Sequence, residues 1–203
     1  MEKFLNELGE VLAKINRSFS DIGLVVVSKG RETDLIKSVY ETLKNYNFKT
    51  LKLGENYLGE LKKKLSYLSN DDFHYIGVAK TRILESLIRL GVFVESVQSV
   101  KQLNILKSAG VSCFIQVNIS RDPRKSGFFL EDAKHVIMDF RQTIQGVMVI
   151  LNQDLSPSEK LKQFEAVRNA FPDLIMSAGM SDDWEEAIKA GSDILRIGRL
   201  LFE

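Results

Sequence analysis

Lys29 stands near the end of "VVVSKG" (residues 25–30), where an apolar run gives way to glycine. A strand-end lysine held partly out of water has its ammonium form disfavoured, and the neutral amine is a nucleophile for carbonyl carbon. The plainer reading is a lysine that lays its alkyl stem on apolar surface and keeps its charge in solvent. Far along the chain, "MSAGMSDDW" and "LRIGRLLF" carry Ser177, Gly179, Ser181, Gly198 and Arg199, small hydroxyls, glycines and one cation of the kind that cradle a phosphate. Arg196, a cation within an apolar run, belongs with them unless it pairs with a strand-end carboxylate, in which case the glycines serve only close packing. Brought together, an amine, a phosphate cradle and a second cation would hold a phosphorylated aldehyde or ketone as an imine.

These residues lie at opposite ends of the chain, so the fold has to unite them. Eight apolar runs recur: "LVVVS" (24–28), "TLKLG" (50–54), "FHYIG" (73–77), "VFVESV" (92–97), "SCFIQVNI" (112–119), "IQGVMVIL" (144–151), "DLIMSAG" (173–179) and "DILRIGRLLF" (193–202). Between them lie amphipathic stretches with apolar residues at three- and four-residue spacing. Gly91, Gly110 and Gly191 stand where helix C-caps want a residue tolerant of positive φ, and Ser99, Ser156 and Asp182 can cap three helix starts. Strands and helices in this alternation predict an α/β fold, a single (β/α)8 TIM-type barrel over residues 1–203 with an extra N-terminal helix; an open doubly wound sheet is the competing topology. In the barrel, strands one and eight are neighbours and reactive groups sit where strands end. Val25, Val27 and Lys29 share one parity, so valines that fill the interior would bring the amine out at the mouth, partly desolvated.

Composition removes other classes. With 28 basic and 27 acidic side chains the formal net charge is +1, so no overall field draws the chain to nucleic acid or an anionic membrane, and an anion must be bound locally. No apolar run approaches a membrane span. "MEKFLNELGEVLAKINRSF" reads as an amphipathic helix rather than a signal sequence. The one cysteine, Cys113, lies in "VSCFIQV" and reads as a buried thiol of a cytoplasmic protein, while His74 and His135 are too far apart to suggest a zinc site.

With "VVVSKG", "GENY", "HYIG", "ESVQSV", "IQVNIS" followed by "KSGF", and "GMSDDWEEAIKAGSDILRIG" in this order, nearly the whole chain resembles the pyridoxal-phosphate homeostasis protein family, whose barrel is similar to the N-terminal domain of alanine racemase. The resemblance implies pyridoxal 5′-phosphate (PLP) as the cofactor, held by Lys29 as a covalent aldimine. It further implies that Ser177, Gly198 and Arg199 hold the phosphate, that Arg196 faces the pyridine nitrogen, and that Asn56 lies beside the cofactor. Asn56 reads equally as the N-cap of a helix beginning at Tyr57, and His74 as a packed core histidine. The chain departs from the family where Arg199 replaces a usual threonine, where Lys80, Thr81, Arg82 and Ile83 replace Gln-Ser-Asn-Lys, and where Gly30 to Glu32 lacks a proline. Lys125 matches a family lysine and offers a second amine, or is an exposed loop lysine.

An arginine at the ring nitrogen weakens PLP as an electron sink, and the racemases add a second acid/base group from a further domain that this chain, ending at Glu203, is expected to lack. The expected role is therefore binding and intracellular vitamin B6 homeostasis, without robust catalysis, by a cytoplasmic monomer that supplies PLP-dependent apo-enzymes. A PLP-dependent amino-acid racemase and a cofactor-free Schiff-base aldolase are the alternatives.

Overall fold

The computed structural model describes residues 1–122 and 125–203. Its elements run α1 (Glu2–Lys14), β1 (Gly23–Val27), α2 (Thr33–Leu43), β2 (Thr50–Glu55), α3 (Leu58–Lys64), β3 (Phe73–Tyr75), α4 (Thr81–Arg89), β4 (Phe93–Val97), α5 (Val100–Ser108), β5 (Cys113–Val117), α6 (Leu130–Asp139), β6 (Ile144–Val149), α7 (Pro157–Ala170), β7 (Ile175–Ser177), α8 (Trp184–Lys189), β8 (Ile194–Ile197) and α9 (Arg199–Phe202). The strands form a closed parallel barrel in chain order, with β1 paired to both β2 and β8. Val25 lies opposite Arg196, so the loop that carries Lys29 adjoins the one that carries Gly198.

Alternation along the strands sorts two cores. Leu24, Val26, Leu53, Val94, Ile115 and Val147 face the helices, while Val25, Phe114, Met148 and Ile194 cluster inside the barrel with Phe93 and Ile150. The N-terminal helix covers a side, not an end: its buried Phe4 meets Trp184 of α8 edge to face with centroids 5.4 Å apart. Ser99 accepts from the Gln102 amide, and Ser156 forms a reciprocal capping box with Glu159 at the start of α7. Gly91, Gly110 and Gly191 all take positive φ after their helices.

Two local expectations change. The eighth apolar run is not one strand, because Gly198 ends β8 and Arg199–Phe202 turn into a short helix that buries Leu201. Asp182 does not cap α8; Asp183 stands at that position, and its carboxylate accepts from the Met180 amide at 2.6 Å instead. Lys80 is the N-cap of α4 and Thr81 to Ile83 form its first turn.

Cys113 is fully buried, and loss of water around the sulfur pushes its thiol up to about 12. It is therefore expected to resist alkylation in the folded protein at neutral pH and to react promptly in denaturant; equal labelling in both states would contradict its burial. Among the described residues no helix is long and apolar enough to cross a membrane, and no cluster of three metal-ligating side chains occurs.

Candidate functional site

Inside the barrel, short inward side chains on some strands leave room for longer polar ones on others. Gly54 points inward, where a Cβ would press on Val25, and from its register partner His74 onward the rings of His74, Phe93 and Phe114 pack at centroid spacings of 4.9 Å. Between Val94 and Val97 the register of β4 against β5 shifts by one residue, and the bulge carries the fully buried Glu95. Glu95 Oε1 lies 2.6 Å from His74 Nδ1, and Glu95 Oε2 accepts from Ser177 Oγ at 2.6 Å. Arg196, only 3% exposed, donates through Nη1 to Ser177 O (2.6 Å) and Ser177 Oγ (2.9 Å), and through Nη2 to Val149 O (2.7 Å).

The network balances its charges internally. Burial pushes the Glu95 carboxyl up, but the His74 hydrogen bond, the His74 and Arg196 charges and the Ser177 hydroxyl together outweigh it and hold Glu95 below the usual carboxylate value. Burial lowers Arg196, with Glu95 and Asp183 opposing. Arg196 thus lies beneath the mouth as a fixed cation, bonded to a carboxylate through Ser177, which joins the two readings of this residue. The Ser177 hydroxyl spends its one proton on Glu95 and is wholly buried, so it is held within the network and does not reach the rim.

At the rim, Lys29 occupies the turn after β1, with its side chain exposed and without a hydrogen-bond or ion-pair partner among the described residues. The expected partial desolvation is corrected here: β1 ends at Val27, so the alternation that would have kept Lys29 inward stops before it arrives. Its backbone, unlike its side chain, is gripped. Lys64 on α3 donates to Ser28 O at 2.7 Å and pairs with the buried Glu55. Glu60 on the same helix accepts from the Gly30 amide at 2.9 Å.

Across the neighbouring loop, Glu55 Oε1 accepts the amides of Asn56 (2.7 Å) and Tyr57 (3.1 Å). Asn56 does not cap α3, whose N-cap is Tyr57, and its Oδ1 is buried without a hydrogen-bond partner among the described residues. Gly77 lets the β3–α4 loop pass here, since a Cβ would sit 2.0 Å from Asn56 O. Gly198 adjoins β1 from the other side, where a Cβ would meet Val27 Cβ at 3.3 Å. Gly179 follows the packing reading, as a Cβ there would strike Leu195 and Ala187.

No protein-family model matches the chain. A pyridoxal phosphate homeostasis protein of Haemophilus influenzae is 28% identical over 211 residues, covering 92% of this chain and 86% of that protein. PipY of Synechococcus elongatus, solved without PLP and with PLP bound, superposes with TM-scores of 0.76 and 0.74 at 25% and 24% identity, covering 96% of this chain and 99% of PipY. The chain is similar over nearly its whole length to pyridoxal phosphate homeostasis proteins. An alanine racemase of Acinetobacter baumannii shares the fold alone, with a TM-score of 0.67 at 13% identity over 96% of this chain and 57% of the racemase.

The departures of this chain from the family pattern have definite positions. Arg199, in place of the usual threonine, turns its guanidinium to Asp182 and ties α9 to the β7–α8 loop, both side chains being more than half exposed. Arg31, in the segment that lacks a proline, lies over the Phe202 ring at 5.1 Å and joins the β1 loop to α9. Lys125 is part-buried in the β5–α6 loop, where Asn118 Nδ2 donates to Asp122 O (2.8 Å) and Lys125 O (3.1 Å). Sequence reading missed Glu55, Glu60, Lys64 and Glu95 as site residues. A signal existed for Lys64, a cation one turn after Glu60 on the face that buries Leu61.

Proposed function

We propose that this chain binds PLP at the barrel mouth, with Lys29 as the point of covalent attachment, and takes part in intracellular vitamin B6 homeostasis as a carrier without robust catalysis of its own. The observation that carries the reading is the pairing of an amine, Lys29, with a buried amide oxygen, Asn56 Oδ1, neither having a partner among the described residues, on the loops of adjacent strands. A buried acceptor left unmatched is rare enough to ask for a ligand that donates to it. Arg196 lies below as a buried cation held by Ser177, and Gly198 beside the Lys29 loop allows a close backbone approach for an anion, while the Arg199 guanidinium is engaged by Asp182.

When bound, PLP supplies an aldehyde that amines take up reversibly and a ring that draws electrons from attached carbon. Arg196, facing the ring nitrogen as the family resemblance implies, would disfavour its protonation and weaken that second property, which favours carriage over amino-acid chemistry. The homeostasis role of the Haemophilus relative and the PLP bound by PipY support the same reading. We extend it to a cytoplasmic, monomeric barrel domain over residues 1–203 that supplies PLP-dependent apo-enzymes.

Titration of the purified protein with PLP should produce a visible absorption band that borohydride abolishes. Unphosphorylated pyridoxal should bind roughly tenfold or more weakly, since charge-assisted hydrogen bonds contribute about 1.5–3 kcal/mol each. No band, or equal affinity for both aldehydes, would overturn the proposal.

A further inference from the structure

We propose that Lys64, with Glu55 and Glu60, is the positioning device for Lys29, fixing the backbone on both sides of it so that the amine nitrogen meets the carbonyl carbon of a bound aldehyde; this rests on the reading of Lys29 as the attachment point. Lys64 is 5% exposed and Glu55 is fully buried. The Lys64 ammonium holds Glu55 Oε2, lies 2.7 Å from Ser28 O and 3.4 Å from Ser28 Oγ, and lies 3.4 Å from Glu60 Oε2. Glu60 Oε2 in turn accepts from the Gly30 amide at 2.9 Å. The carbonyl before Lys29 and the amide after it are therefore both tied to α3, while the lysine side chain is tied to nothing among the described residues.

The device reaches further than one turn. The second oxygen of Glu55 accepts the Asn56 and Tyr57 amides, so a single carboxylate registers the loop of the free amine against the loop of the free amide oxygen. Its need follows from the local sequence. Gly30 takes φ +66°, and a glycine-containing turn left to itself samples many conformations. A buried ion pair is in general a poor means of adding stability, so a role in orientation accounts for this one better than a role in folding. Groups that react must be held near the productive geometry by a rigid neighbouring element, and a displacement of about 1 Å lowers rates by up to about a hundredfold.

The step served is simple. The Lys29 nitrogen gains a double bond to the aldehyde carbon, and the carbonyl oxygen leaves as water with two of the three ammonium hydrogens. The charge stays on nitrogen. No oxidant or further reactant enters.

Two variants test the device. Glu55→Gln/Lys64→Met removes both buried charges together, keeps a carbonyl oxygen for the Asn56 and Tyr57 amides, and lets go of Ser28. Glu60→Ala, at a half-exposed site, releases Gly30 and the 3.4 Å contact with Lys64 while leaving the Glu55–Lys64 pair, and serves should the double variant fail to fold. In each, the rate at which PLP becomes fixable by borohydride on the Lys29 peptide should fall roughly tenfold or more, and amide exchange at Gly30 should accelerate. Binding of pyridoxine 5′-phosphate, which has no aldehyde, should change less than about twofold. An unchanged attachment rate would overturn the proposal, and so would an equal loss of pyridoxine 5′-phosphate binding, which would make these residues supports of the whole pocket. Failure of the wild-type chain to attach PLP at Lys29 at all is a different result, and it would overturn the underlying reading.

Discussion

Lys29→Ala is expected to remove the borohydride-fixed pyridoxyl group from its peptide and to lower the visible band at equimolar PLP by roughly tenfold or more, about 1.4 kcal/mol or above in apparent affinity. The residue is exposed and without a partner among the described residues, so its loss should leave stability within about 0.5 kcal/mol. What disappears is the only amine on the turn between β1 and α2, whose flanking backbone is held against α3. Attachment there draws on high effective concentration rather than on a desolvated ammonium, because the side chain stands in solvent. Lys29→Arg separates charge from chemistry: it keeps a cation at the rim but offers no nucleophilic amine. It should retain non-covalent binding of pyridoxine 5′-phosphate and lose the band as fully as Lys29→Ala. Unchanged stoichiometry of fixed label in both variants, mapped to another lysine, would remove Lys29 from its assigned position.

The second large effect lies beneath the rim. Glu95→Ala should lower the unfolding free energy by about 3–5 kcal/mol in urea at neutral pH, since it strands Arg196 as a buried cation and takes the acceptor from Ser177 and His74. Removing the guanidinium as well, in Glu95→Leu/Arg196→Leu, should restore part of the loss, because the two groups act in one network. The pH dependence carries a sign. The Glu95 carboxyl is held below its ordinary value of 4.5, as the surrounding donors and charges overcome burial. The folded state therefore binds that proton less readily than the unfolded state. Its contribution is complete above about pH 4.5 and is lost as the pH falls through the depressed folded value. The stability gap between wild type and Glu95→Gln should narrow in that acidic range and stay level from there to neutrality. A gap that holds constant down to acid pH would show that the carboxylate charge contributes nothing.

Much of the architecture was legible because it rests on local periods. The alternation of "LVVVS" places Leu24 and Val26 against helices and Val25 inside, and this holds in the structure. The glycines after α4, α5 and α8 take the positive φ that their positions suggested. The eighth run misled because period-two hydrophobicity does not separate a strand from a single helical turn, and only Gly198 marks the change. Asn56 looked like a helix cap by spacing, but the cap position falls on Tyr57, and the Asn56 carboxamide oxygen finds no donor among the described residues.

From the linear order of residues came the barrel class and, given closure, the adjacency of the first and last strands. The class follows from hydrophobic period, which each short stretch expresses by itself, and the adjacency from the number and order of the strands; Lys29 as the candidate amine came from its place at a strand end together with the family resemblance. Tertiary structure alone decided that Lys29 stands in solvent while Lys64 is buried, that Arg199 turns to Asp182, and that Ser177 spends its proton on Glu95. Those outcomes depend on which donors and charges distant segments bring within about 3 Å, where hydrogen bonds and desolvation are settled, and no local period encodes them.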